Sequence, residues 1–446
     1  MSRRIASLIA LVAATLLITN AHAANRTWTS TAAGLGYWQS NTAWAGAIAP
    51  VASDDLVFNA PVTGGTRTTT NDFAANTAFN NITFNANAFF LNGNAVNLTG
   101  NVTNTGSAAV DTINLNLNLQ QNTFFAVNVA NGRIDVNGDI SGSYGLTKVG
   151  PGSVRLQTAT KTYSGDTTVD SGTLDLNIVN ALPSGAGKGN VSVTSGATLG
   201  LRFGVNMNGL NGGGLVSAFS SGTKGLSLGN GDASGSFGGV IQNGSGAIAL
   251  TKVGTGIQTL TGANTYTGAT AVNGGSLVVN GSIGSGNTTV AALGTLGGAG
   301  TIGGVTTANG LIDPGSAAGV IGTLTFTTNL SFGTTGSALF QLDRTAGQNA
   351  DLLNVGGALL LNGTWTVSNI GASLIAGDLF DLFNSPNITG TVGTLNLPAL
   401  DPGLGWDTSL FGTTGILSVI AVPEPSSMTL AGIAGLAILI VKRRKA

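Results

Sequence analysis

Residues Leu250–Val279 read LTKVGTGIQTLTGANTYTGATAVNGGSLVV, and the spacing of the residues in this segment predicts its architecture. Near its end Leu277 and Val279 alternate with other residues, so the two aliphatic side chains lie on the same face of a strand. Glycines such as Gly274 separate these short runs and let the chain turn. Strands this short bury little alone, so each must stack on the next at about 4.8 Å to build a continuous core. The stretch predicts one coil of a β-solenoid.

A second copy of the pattern lies at Leu146–Leu176, LTKVGPGSVRLQTATKTYSGDTTVDSGTLDL. Self-similarity of this kind indicates a stacked repeat architecture. The copies differ where Gln258 replaces the aliphatic Val154. An inward Gln needs polar partners, so either it joins a polar ladder or Ile257 takes the core position through a bulge.

The polar members of the repeat are expected on the outside. We predict that Tyr163 and Tyr266 pack at a corner of the coil with the phenol in solvent, where a ligand-stacking role stays open. Arg133, Arg155 and the two lysines Lys148 and Lys161 are predicted to be solvated.

Composition supports an all-β chain. Of 446 residues, 70 are Gly and none is Cys, while 42% are hydrophobic and only 8% are charged. Disordered chains show the opposite balance of aliphatic and charged residues. The only His is His22, in a segment that we expect to be removed. The mature chain then lacks the usual zinc ligands and the nucleophile–base pair of hydrolases, so we expect no metal, no cofactor and no enzyme.

The N-terminus has the pattern of a secretory signal peptide. Arg3 and Arg4 precede an apolar run that ends at Ile18. Ala21 and Ala23 supply the small residues that signal peptidase reads, so cleavage is expected between Ala23 and Ala24. The arginine pair leaves twin-arginine export open, but the residues after it favour the general route.

The C-terminus combines three features in order. Pro423, Glu424 and Pro425 come first, a membrane helix predicted at 426–441 around the apolar run Met428–Val441 follows, and the basic cluster Lys442, Arg443, Arg444 and Lys445 comes last. The run is shorter than the roughly 20 residues of an ordinary membrane span. The basic cluster is typical of a tail that stays in the cytoplasm.

This arrangement resembles the PEP-CTERM sorting signal. In that family a membrane protease-transpeptidase, exosortase, reads the signal in Gram-negative bacteria that make extracellular polysaccharide. The resemblance implies that Pro423, Glu424 and Pro425 form the recognition site and that the tail is removed. It also implies a precursor anchored in the inner membrane through its C-terminal helix before release to the cell surface or the extracellular space.

The two internal copies resemble the autotransporter-associated β-strand repeat, which implies a right-handed parallel β-helix and carries no catalytic residues. Only about 40 residues separate Phe380 from the sorting signal, too few for the eight or more strands of an autotransporter's transmembrane barrel. The predicted organisation is a signal peptide at 1–23, an aromatic-rich β cap or first coils at 24–130, a solenoid at 131–420 with repeats at about 140–177 and 241–280, and the sorting signal at 421–446.

The N-terminal region offers the alternative of a carbohydrate-binding module. Trp28, Trp38 and Trp44 lie close together in the sequence. A cap over the first coil explains them, since a solenoid end must be covered. A sugar-binding aromatic platform is the second explanation.

A third alternative is a β-helix polysaccharide lyase, which needs clustered acids and a basic residue in one groove. Asp54 and Asp55 are adjacent and would point to opposite faces of a strand, so we assign them turn and solvent-face roles. The region between Ala24 and Ile420 has 11 Lys and Arg against 17 Asp, so a basic nucleic-acid-binding face is not expected. The sequence therefore predicts an exported structural or adhesive solenoid, processed by signal peptidase and exosortase and associated with exopolysaccharide or the outer surface.

Overall fold

The computed structural model describes residues 23–30, 36–59, 67–86, 88–106, 109–315 and 319–422. Almost all regular structure in this part of the chain is strand. The predicted all-β parallel solenoid is confirmed. The chain divides into two compact units, Met1–Leu174 and Asp175–Ala446.

The first unit consists of short strands with two 3-10 turns at Asn41–Ala43 and Ala45–Ala47. Its strands are β1 Asn25–Trp28, β2 Gly36–Tyr37, β3 Asp55–Phe58, β4 Arg67–Asn71, β5 Thr77–Phe79, β6 Ile82–Phe84, β7 Phe89–Gly93, β8 Val96–Leu98, β9 Val102–Asn104, β10 Val110–Ile113, β11 Leu117–Leu119, β12 Thr123–Val127, β13 Arg133–Val136, β14 Ile140–Gly142, β15 Leu146–Val149, β16 Ser153–Leu156 and β17 Thr167–Val169. Strand β18 is Thr173–Leu176, and the division of the chain between Leu174 and Asp175 falls within it.

These strands form three parallel ladders. One runs β1–β3–β6–β9–β12–β15–β17, a second β2–β4–β7–β10–β13–β16, and a third β5–β8–β11–β14. The region 24–130 thus supplies coils to the same ladders as the first repeat. The boundary at residue 130 between this region and the solenoid stays a prediction.

The second unit has one 3-10 turn, Asn230–Asp232, and one short helix, α1 Phe411–Thr414, among its described residues. Its strands are β19 Val191–Val193, β20 Thr198–Leu201, β21 Val205–Asn206, β22 Leu210–Gly212, β23 Leu215–Ala218, β24 Lys224–Leu228, β25 Gly235–Phe237, β26 Val240–Gln242, β27 Ile248–Lys252, β28 Ile257–Leu260, β29 Thr270–Val272, β30 Gly275–Val279, β31 Ser282–Ile283, β32 Thr288–Val290, β33 Gly294–Gly298, β34 Thr301–Ile302, β35 Thr306–Ala308, β36 Leu311–Pro314, β37 Thr323–Phe326, β38 Leu330–Phe332, β39 Ser337–Leu342, β40 Leu352–Val355, β41 Ala358–Leu361, β42 Thr364–Asn369, β43 Leu379–Asp381, β44 Phe383–Asn384, β45 Asn387–Gly390, β46 Thr394–Asn396, β47 Leu404–Asp407 and β48 Ile416–Ala421.

Parallel pairing again dominates. The ladder β21–β24–β27–β29–β32–β35–β38–β41–β45 forms one face of the second unit, and others include β31–β34–β37–β40–β44. An antiparallel sheet, β43–β48–β47, follows near the C-terminal end. There Trp365 lies among Phe383 and Phe411, with ring centroids 5.3 and 5.9 Å away.

The core arises from alternation along each strand and register between coils. In the first unit one inward column runs through Leu56, Ile82, Val102, Phe125, Lys148 and Val169, all of them buried. Equivalent residues of successive coils stack directly, so aliphatic and aromatic side chains meet their counterparts and exclude water. The presence of Lys148 in this column contradicts its predicted solvation.

Asparagine side chains link the corners of successive coils. Asn101 Oδ1 accepts the Phe124 N–H at 2.9 Å, and Asn116 Oδ1 accepts the Asp139 N–H at 2.8 Å in the following coil. A corner leaves backbone donors outside the ladders, and the Asn amide satisfies them. This explains why a solenoid with few charges is rich in Asn.

Gln258 follows the first of its two predicted alternatives, because it is buried while Ile257 stays half exposed. Its amide reaches past Gly235 and bonds Leu210, which lies 48 residues earlier: the Leu210 N–H donates to Oε1 at 3.1 Å, and Nε2 donates to the Leu210 carbonyl at 2.9 Å. A Cβ on Gly235 would lie only 2.7 Å from Oε1. Gly235 therefore makes room for the amide to pair like a peptide group.

Candidate functional site

The three N-terminal tryptophans are interior residues. Trp28, Trp38 and Trp44 have exposed fractions of 2, 0 and 2%, and their rings lie 5.8–6.2 Å from that of Phe58. Their polar edges are also used, since Trp38 Nε1 donates to Thr69 Oγ1 at 2.9 Å. The alternative of a sugar platform on these rings is wrong, because a buried indole presents no face to a ligand.

The repeat tyrosines are also buried, contrary to the prediction. Tyr163 and Tyr266 are both 0% exposed, and each phenol is hydrogen-bonded to a threonine four residues later. Burial raises the pKa of both phenols above the ordinary value. The hydroxyls fall on the inner side of the coil because Thr167 and Thr270 turn inward there.

The repeat lysine bonds backbone carbonyls inside the coil. Lys148 Nζ donates to Val149 O at 2.9 Å, Gly150 O at 2.8 Å and Ser171 O at 3.1 Å. Lys252 makes the same three kinds of bond, at 2.7–3.2 Å, in the second copy. Two of the three bonds lie within one coil and the third reaches the next, so each ammonium group joins neighbouring coils.

Lys161 was also predicted to be solvated, and it is buried. Its ammonium donates to four carbonyls, those of Val136, Gly138, Gln157 and Ala159, at 2.6–3.3 Å. The corresponding residue of the second copy is Asn264, whose amide makes a similar set of backbone bonds. Burial lowers the pKa of Lys148 and of Lys161 to about 8.

The carboxylates of Asp54, Asp55 and Asp378 have structural partners. Asp54 is buried, contrary to a solvent-face role, and lies 2.7 Å from Arg26 Nε. Asp55 accepts bonds from Asn80 and Asn81 instead, so the two carboxylates are directed to different groups. Asp378 is paired with Arg344. The described residues contain no group of three or more His, Cys, Asp and Glu that could hold a metal ion.

The feature that offers a ligand surface is an outer face of the second unit, which we call the neutral face. It is the outward column of the ladder from β21 to β45, and coil-to-coil register defines it. Its residues are Asn206, Ser227, Thr251, Ala271, Thr289, Thr307, Ser331, Leu360 and Thr389. No member is charged over nine successive coils.

A depression of about 380 Å³ lies at the first coils of the neutral face. Gly204, Gly225, Val179 and Asn180 are among the residues that line it, and Ser227 and Thr251 contribute hydroxyls. A Cβ on Gly225 would meet nothing within 4 Å, so the absent side chain itself makes the space. The volume is in the range of about 300–1,000 Å³ that small-molecule sites occupy.

Sequence reasoning missed this face, although alternation in each strand indicates which residues point outward. The coil-to-coil register, which puts nine neutral residues in one column, depends on loop lengths that vary along the chain.

The predicted processing residues lie mostly outside the described residues. Pro423, Glu424, Pro425, Lys442, Arg443, Arg444, Lys445, Ala21 and the helix predicted at 426–441 belong there. Ala23 and Ala24 are described, directly before β1. In the part of the chain that the structure describes, no helix has the length and apolar character needed to cross a membrane.

Two known protein families match parts of this chain. Residues 146–176 and 250–279 match the Passenger-associated-transport-repeat, and residues 421–445 match the PEP-CTERM protein-sorting motif. The matches coincide with the two copies and the tripartite tail recognised in the sequence. The chain matches no curated protein. The sorting motif implies processing by an exosortase-type system. The chain is therefore a PEP-CTERM-sorted, exported β-solenoid protein of the cell surface that carries passenger-associated-transport repeats.

Proposed function

We propose that the protein is a non-catalytic surface scaffold that associates with neutral polysaccharide through the neutral face. The observation that carries the proposal is the nine-coil column without charge, which begins at the depression over Gly225. A flat surface without charge gives no electrostatic preference for an anionic polymer. Its hydroxyl and amide groups suit a ligand that both donates and accepts hydrogen bonds.

The depression supplies both kinds of contact that a sugar ring makes. Val179 and the backbone of Gly204 and Gly225 offer apolar surface to the C–H face of a ring. Asn206 and Thr251 side chains make no hydrogen bond to other described residues and are available to ring hydroxyls. The regular spacing of strands, about 4.8 Å, extends this surface along a chain polymer.

The repeats support a scaffold role because their recurring polar residues serve the stack. Lys148 and Lys252 bond backbone carbonyls, and Tyr163 and Tyr266 bond buried threonines. These groups are therefore committed to holding coils together. We propose that binding, and not turnover, is what the exposed surface contributes.

The test is a Gly225→Val substitution, which fills the depression with a side chain that suits a strand. Affinity electrophoresis of the exported protein in gels containing galactomannan, dextran or alginate should show retardation by a neutral polymer. The apparent dissociation constant should rise at least about tenfold in the variant, which corresponds to a loss of about 1.4 kcal/mol of binding free energy. Retardation should persist at high salt because no ion pair contributes.

Gly347→Val is the matched control, since a Cβ on Gly347 also meets nothing within 4 Å and lies in a loop away from the neutral face. It should bind like the wild type. Retardation by alginate alone, or equal binding by the Gly225→Val protein, would refute the proposed face. Shortening of any of the polymers during incubation would refute the non-catalytic role and favour a polysaccharide lyase.

A further inference from the structure

The carboxylate of Asp54 is held at the start of β3 by three donors. The Ala24 backbone N–H donates to Oδ1 at 3.1 Å, while Arg26 Nε and the Val51 N–H donate to Oδ2 at 2.7 and 3.0 Å. The residue is only 4% exposed. Burial alone would raise the pKa of Asp54, but the bonds from Arg26, Val51 and Ala24 bring it below its ordinary value. The group is therefore a carboxylate at neutral pH.

Ala24 is also the residue that follows the predicted signal-peptidase site. Hydrolysis of the Ala23–Ala24 bond places the water oxygen on the Ala23 carbonyl carbon and leaves an amine on Ala24. That amine takes up a proton at neutral pH, because an α-amino group has an ordinary pKa of about 8. Cleavage thus converts the N–H that already donates to Asp54 into an ammonium group.

We propose that Asp54 is the binding site for the α-ammonium group of the processed N-terminus. The neutral hydrogen bond of the precursor becomes a charge-assisted bond at the same atom, and such bonds are about twice as strong as neutral ones. The site needs no rearrangement, because the donor nitrogen and Oδ1 are already 3.1 Å apart.

The consequence falls on β1, which pairs with β3 and with no other strand in the described residues. An edge strand exposes unpaired backbone groups and frays or recruits other chains unless it is fixed. Asp54 fixes the beginning of β1, and the burial of Trp28 among the aromatic rings fixes its end. Removal of the signal peptide therefore strengthens the attachment of β1 in the first coil.

The test compares α-amine reactivity in the exported protein, whose N-terminus is first identified by mass spectrometry. Near neutral pH an amine-directed acylating reagent should modify Ala24 about tenfold more slowly in the wild type than in Asp54→Asn, since an amine pKa raised by one unit lowers the reactive fraction tenfold. A Gly inserted between Ala23 and Ala24 moves the amine by one residue and should restore fast acylation with Asp54 intact.

Asp55→Asn is the matched control, because its carboxylate bonds Asn80 and Asn81 and not Ala24. It should leave the acylation rate at the wild-type value. The thermal midpoint should fall on Gly insertion in the wild type and stay constant on the same insertion in Asp54→Asn. A mature N-terminus other than Ala24, or wild-type acylation as fast as in Asp54→Asn, would overturn the proposal.

Discussion

At the scale of single residues, the buried lysines show how this chain satisfies backbone carbonyl groups that its strand pairing leaves without a donor. Each of Lys148 and Lys252 donates to two carbonyl groups of its own coil and to one of the next. An ammonium group has three N–H bonds and no acceptor, so it suits a place where only carbonyls converge. Burial penalises its charge, and the hydrogen bonds offset that cost.

We expect Lys252→Met to lower the free energy of unfolding by about 1–3 kcal/mol, because Met has a similar length but leaves three carbonyls without a donor. Lys224→Met is the control in the same ladder, since its ammonium makes one exposed bond to Ser221 O. That change should alter stability by no more than about 0.5 kcal/mol. Urea unfolding followed by circular dichroism measures both. Equal or greater stability of the Lys252→Met protein would contradict the structural role.

At the scale of elements, a ladder can be continued by a side chain. Gln258 completes the pairing of Leu210 in β22 across the position where Gly235 lacks a side chain. The amide of Gln has the same donor and acceptor as a peptide group, so the strand two coils away gains both of its bonds.

Gln258→Val introduces the residue type of the first copy, and we expect it to destabilise the second unit by about 1–3 kcal/mol because Leu210 N–H and C=O lose their partners. Ile257→Gln is the control at a half-exposed neighbour and should change stability by about 0.5 kcal/mol or less. Hydrogen exchange at the Leu210 amide should quicken in the first variant only. Unchanged exchange there would show that the amide pair is dispensable.

Alternation along the strands was sufficient to predict the solenoid and its two clearest coils. The same alternation puts Lys148 on the face of Leu146, so it contained the signal for an inward lysine that residue type alone obscured. The partner of Gln258 could not be predicted, because it lies 48 residues away and two coils back, and so depends on the register of the coil between them. The neutral face required that register too, whereas the processing signals are local motifs and were recognisable at once.

At the scale of the whole molecule, titration predicts a minimum of stability near neutral pH. Burial raises the pKa of Asp111 and Asp351 from 3.8 to about 7, so the folded chain holds their protons where the unfolded chain has lost them. Their contribution is complete below about pH 3.8 and is lost as the pH rises through 7. Burial lowers the pKa of Lys148 and Lys161 from 10.5 to about 8, so stability recovers between pH 8 and 10.5 as the folded chain releases protons first.

Urea midpoints measured from pH 4 to 10.5 should therefore fall toward pH 7 and rise above pH 8. Asp111→Asn should reduce the fall of the urea midpoint between pH 4 and 7, which we call the acidic limb, because it removes one group that titrates there. Asp407→Asn is the control, since hydrogen bonds from Ser409 lower the pKa of Asp407. The titration of Asp407 therefore changes stability only at pH values below about 3.8. A maximum near pH 7, or an acidic limb unchanged by Asp111→Asn, would contradict the assignment.

The burial of lysine has a further consequence for a protein displayed outside the cell. Between the predicted signal peptide and the sorting signal the chain has five lysines, and three of them, Lys148, Lys161 and Lys252, are buried. A protease that cleaves after basic residues must draw the side chain into its own pocket, which these three cannot enter while the coils are intact. The same bonds that join the coils thus remove more than half of the lysine cleavage sites from the reach of extracellular proteolysis.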